Sequence, residues 1–173
     1  MNLIITIAPL VLLFSSRAWP EHGATQRGES KSLEPKQFRA GACAVDIAPA
    51  TYPVLVNGGF LQNQATRLVD PVRAKSLVLD DGSTRLAIVV VDSCMMPREL
   101  LDRAKELARE KTGILAERIM ISATHTHSAP AAMGALGCRA DADYVARLPG
   151  WIAESIERAS KLLEPARDRK SVV

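Results

Sequence analysis

Short apolar runs, each closed by proline, glycine or an Asp-Gly pair, divide this chain into strand-like and helix-like segments. Residues 39–47 alternate small or apolar side chains and predict a first strand, ended by Pro49 and Pro53. Residues 54–64 read as a loop centred on Asn57-Gly58-Gly59, where adjacent glycines permit either a ligand-approaching backbone or an ordinary turn. Residues 72–79 predict a second strand, and Asp80-Asp81-Gly82-Ser83 a hairpin turn. Residues 86–91 answer as the returning strand, and their unbroken apolar character predicts burial on both faces. From Pro97 to about Thr112 the period changes. Leu100, Leu101, Ala104, Leu107 and Ala108 make one helical stripe, and Gly113 is its stop. Residues 118–122 are strand-like again, so strand, helix and strand form a crossover between parallel neighbours. Residues 141–163 predict a last helix, with Pro149-Gly150 as a kink or short break. The fold class expected is α/β, a mixed or mostly parallel sheet with flanking helices.

The ends of the chain are read differently. Residues 3–14 are an apolar run too short to span a bilayer, and Ser16-Arg17-Ala18 follows as a small-x-small cleavage site. Residues 1–18 are therefore expected to be a signal peptide, and residues 19–37 a polar, aperiodic linker. The folded domain is expected over 38–167 and a tail over 168–173. Export through that signal implies a secreted or periplasmic product.

Charge adds mainly exclusions. Lysine and arginine number 22 against 19 acidic residues, with no basic run or aromatic ladder, so nucleic acid is not an expected partner. Cys43, Cys94 and Cys138 are odd in number and have no metal-type spacing. Buried small hydrophobes are the simplest reading of the first two.

The candidate chemistry lies in Ser122-Ala123-Thr124-His125-Thr126-His127-Ser128-Ala129-Pro130. Two of the three histidines stand one residue apart at the end of the 118–122 strand. In extended chain, residues i and i+2 share a face, which places both imidazoles to share a metal or a substrate. Two hydrogen-bonded structural histidines are the alternative. Asp92 ends the neighbouring parallel strand at the same sheet edge, where open α/β sheets bind ligands. It is either an acceptor orienting an imidazole or a strand-end carboxylate facing water. The metallo-β-lactamase pattern fails because Ala129 and Pro130 stand where Asp and His are required. An amidohydrolase barrel fails on length.

These residues resemble the neutral (alkaline, non-lysosomal) ceramidases, whose signature usually reads Ala-Thr-His-Thr-His-Ser-Gly-Pro. Further segments are similar in order: Arg39-Ala40-Gly41 through Val45-Asp46-Ile47-Ala48-Pro49, Asn57-Gly58-Gly59-Phe60, Asp70-Pro71-Val72-Arg73-Ala74-Lys75, the strand ending in Asp92, and Glu164-Pro165-Ala166-Arg167. The nonapeptide is specific; the others are weak singly. The resemblance implies a zinc-dependent hydrolase of N-acyl amide bonds that converts ceramide to sphingosine and a fatty acid. It implies His125 as the zinc ligand, His127 as the catalytic histidine beside the substrate, and Gly58 in the substrate-binding loop. It also implies a ceramide-like lipid amide as substrate and approach to a membrane surface. The family completes its zinc site with a downstream histidine, glutamate and tyrosine, whereas no histidine follows His127 here. The chain is therefore expected to be the amino-terminal portion of a larger catalytic domain and to supply one edge of the site. A non-catalytic exported domain binding lipid or a partner, or a pseudoenzyme fragment, is the alternative.

Overall fold

The computed structural model describes residues 36–169. The expected signal peptide, nearly all of the linker and the end of the tail lie outside the described residues.

The sheet is built from β1 (Arg39–Asp46), β4 (Arg73–Asp80), β5 (Arg85–Val91), β6 (Ile119–Ala123) and the short β7 (Glu164–Pro165). Two three-residue strands, β2 (Val54–Val56) and β3 (Asn63–Ala65), pair with each other apart from it. Strand order is β6-β5-β4-β1-β7. β1, β4 and β7 pair antiparallel, as do β4 and β5, and only β5 and β6 run parallel. The sheet is thus mixed, and of the two expected forms the mostly parallel one is excluded. The reason is local. The β4–β5 link is a four-residue loop, too short for a crossover. Asp81 closes that loop by accepting from the backbone N–H groups of Ser83 and Thr84. Between β5 and β6 the chain spends its residues on α1 (Arg98–Thr112), and the pair is parallel as the crossover required.

Helix α1 starts one residue after Pro97 and ends at Gly113, whose φ of 73° lets its N–H close back on the Arg109 carbonyl. Helix α2 (Ala142–Lys161) is capped by Asp141, whose carboxylate accepts from the Tyr144 N–H and also from the Leu55 N–H of β2. It runs through Pro149 and Gly150 as one helix, so of the expected kink or short break the break is excluded. Leu148, Ile152, Ile156 and Ala159 are fully buried along one face, and that packing outweighs the missing proline N–H.

Both helices contribute to the core that covers one side of the sheet. Val78, Val89, Val91 and Ile119 meet Leu100, Ala104, Leu148 and Ile156 there. Gly41 of β1 makes room for the end of α2, because a Cβ at that position would collide with the Ala159 carbonyl. The opposite side is uncovered among the described residues. Leu86 is 38% exposed, and Ile88 and Val90 are half-buried. The expected two-faced burial of this strand is therefore corrected to one face. No helix among the described residues is long and apolar enough to cross a membrane.

Candidate metal and cleft site

The carboxyl ends of β1, β5 and β6 lie together at one edge of the sheet, as the register of Asp46, Val91 and Ala123 with their neighbours fixes. Beyond β6 the Thr124 N–H still donates to the Val91 carbonyl. The next residue, His125, turns left-handed at φ 62°. The two histidines therefore do not converge by strand alternation, as the sequence pattern predicted. They converge through a turn, which brings their rings edge to face with centroids 5.0 Å apart.

Their surroundings differ. The Nδ1 of His125 lies 2.8 Å from the Cys94 carbonyl oxygen, an atom that only accepts, so this nitrogen carries the hydrogen. The orienting acceptor that Asp92 was a candidate to supply is thus a backbone carbonyl. Asp92 instead accepts from Lys75 Nζ at 3.0 Å and from the Arg73 N–H. His127 lies on the wall of a cleft of about 470 Å³, together with Asp92, Arg67 and the apolar side chains of Val54, Val56 and Leu68. Its size falls in the range of small-molecule sites. The small β2–β3 hairpin, which the sequence reading took for a loop, forms one wall.

Gly58 sits directly against His127. A Cβ on Gly58 would lie 2.5 Å from the His127 Cγ, and φ there is 110°. Asn57 beside it is buried, donates to the Met133 carbonyl at 2.6 Å, and leaves Oδ1 without a partner among the described residues. Burial raises the hydroxyl pKa of Tyr144, whose oxygen has no partner among the described residues either.

One residue that the sequence reading passed over belongs here. Cys94 Sγ lies 3.9 Å from His125 Nδ1. One donor atom each from Cys94, His125 and His127 fall within 4.8 Å of one another. Donors on a tetrahedral zinc stand about 3.5 Å apart, and thiol and imidazole are donor types that zinc takes. The residues present fit a zinc ion. The signal for Cys94 was its place two residues beyond Asp92, at the edge that β5 and β6 share.

Fold and site together define an α/β chain whose sheet edge offers metal donors beside a half-apolar cleft. Solved structures that share this fold include two ceramidases. One is the neutral ceramidase from Pseudomonas aeruginosa, with a TM-score of 0.63 and 22% identity over 76% of this chain. The other is a ceramidase complexed with C2, with a TM-score of 0.64 and 24% identity over 75% of this chain. The chain spans 23% and 22% of those proteins, respectively. No family model matches the sequence. The fold is ceramidase-like, as the sequence resemblance implied.

Proposed function

We propose that this chain carries the histidine-bearing edge of a zinc-dependent, ceramidase-like hydrolase of linear N-acyl amides, exported through its amino-terminal signal peptide. The observation that carries the reading is the meeting of His125 and His127 beside the cleft, in a fold like that of two ceramidases. His125 is the metal ligand: its Nδ1–H is given to the Cys94 carbonyl, which leaves the Nε2 lone pair for an ion. Zinc bound there would supply a Lewis acid for the acyl carbonyl and a water of lowered pKa. His127, on the cleft wall, holds or passes a proton at the amide being cleaved. Gly58 keeps the loop backbone close enough for that ring to take its place. Val54, Val56 and Leu68 suit the acyl chain of a lipid amide. Phe60 and Leu61, each 83% exposed on the loop after Gly58, favour approach to a lipid surface.

The test is turnover of a short-chain N-acylsphingosine by the zinc-supplied 173-residue chain. The expected result is release of fatty acid that stops with a chelator and in His125→Ala. Zinc bound at His125 without any cleavage would overturn the reading of this chain as a hydrolase by itself. Lipid or partner binding, compatible with the small share of a ceramidase that the chain spans, would then take its place.

A further inference from the structure

We propose that Cys94 is a ligand of the same ion, its sulfur joining the His125 imidazole in a thiolate–imidazole site for a thiophilic divalent metal, zinc foremost. The proposal rests on the reading of His125 as a metal ligand and adds a donor to it.

Three observations carry it. First, Cys94 is buried, at 1% exposure, yet it is not among the side chains of the main core. Its sulfur lies instead at the histidine edge, 3.9 Å from the His125 Nδ1, and it is one of three donor atoms, with one each of His125 and His127, that lie within 4.8 Å of one another. Second, one residue serves the imidazole twice. The Cys94 carbonyl fixes the ring's tautomer, and its Sγ lies beside the same ring. A rotation of the Cys94 side chain moves the sulfur without disturbing the carbonyl that holds His125. Third, a nitrogen of His127 lies within the same 4.8 Å span. An ion held by Cys94 and His125 is therefore within reach of the histidine on the cleft wall, and positions stay open for water and substrate.

The chemistry selects the metal. Sulfur and imidazole donors favour zinc over magnesium or calcium, which take oxygen. On binding, the Cys94 thiol proton passes to solvent and the sulfur–metal bond forms, with no change of oxidation state. Cys43 and Cys138 lie elsewhere: Cys43 on β1, and Cys138 with its Sγ donating to the Leu61 carbonyl at 3.2 Å.

Cobalt(II) serves as the spectroscopic probe, titrated into the chelator-treated 173-residue chain. The expected spectrum has a near-ultraviolet thiolate-to-cobalt charge-transfer band that is absent in Cys94→Ser. That variant is expected to bind cobalt more weakly by more than the roughly 10- to 100-fold that outer-shell changes cost. Cobalt bound without the band but lost in His125→Ala would overturn the role of Cys94 and leave the His125 reading standing. A band that survives Cys94→Ser would overturn it too, because another thiol would be the ligand. No cobalt binding by the wild-type chain would remove both readings. Should Cys94→Ser fail to fold, X-ray absorption on the zinc-loaded wild type decides. One sulfur at about 2.3 Å supports the site, and a shell of nitrogen and oxygen alone overturns it.

Discussion

At Gly58 the missing side chain is what gives His127 its place. The next atom outward would lie 2.5 Å from the His127 ring, and the backbone there has φ of 110°, which side chains rarely adopt. Gly58→Ala is therefore expected to lower stability by at least about 1 kcal/mol. It is also expected to shift the His127 imidazole resonances. Denaturant unfolding and histidine NMR check the two effects, and an unmoved His127 spectrum would contradict the packing described. The sequence exposed Gly58 and both histidines as residues of interest, because their types and spacing are unusual. It hid the means by which they meet. A left-handed His125 has no signature in a Thr-His-Thr-His string, since the conformation is imposed by the turn and by the Cys94 carbonyl. Cys94 was hidden for another reason. A cysteine after an apolar strand reads as one more small hydrophobe until its sulfur is seen beside an imidazole.

Among elements, the two helices are tied at their outer surface by Glu157. Its carboxylate accepts from Lys111 of α1 at 2.7 Å and from Lys161 of its own helix at 2.6 Å. These two ammonium groups hold its pKa at about 2, against an ordinary value of 4.5. The folded-state pKa is lowered, so the stabilisation is complete above pH 4.5 and is lost as pH falls towards about 2. Thermal unfolding of wild type and Glu157→Gln is expected to differ most near neutral pH and to converge across that window. A constant difference down to pH 2 would contradict the clamp. The long elements were readable, because their periods of 2 and 3.6 persist over many residues. β2 and β3 were not, because three residues show no alternation and their pairing depends on contacts distant in sequence. Asp141 is one such contact, binding the Leu55 N–H across 86 positions. That hairpin is a wall of the cleft, so the cleft was less legible than the histidine edge.

For the whole molecule, the sheet is covered on one side only among the described residues, with Leu77, Leu86 and Met120 exposed on the other. The β5–α1–β6 crossover was legible from length alone. The strand order was not, because a local hydrophobic pattern does not say which strands become neighbours. The same mixed sheet carries metal donors at its carboxyl edge and a cleft beside them, and binding of an ion at His125 is the claim on which the functional reading depends. Calorimetric titration of zinc into the chelator-treated 173-residue chain, wild type beside His125→Ala, measures it directly. One equivalent bound by wild type and none by His125→Ala is the expected result. No binding by wild type, or equal binding by both, would contradict it.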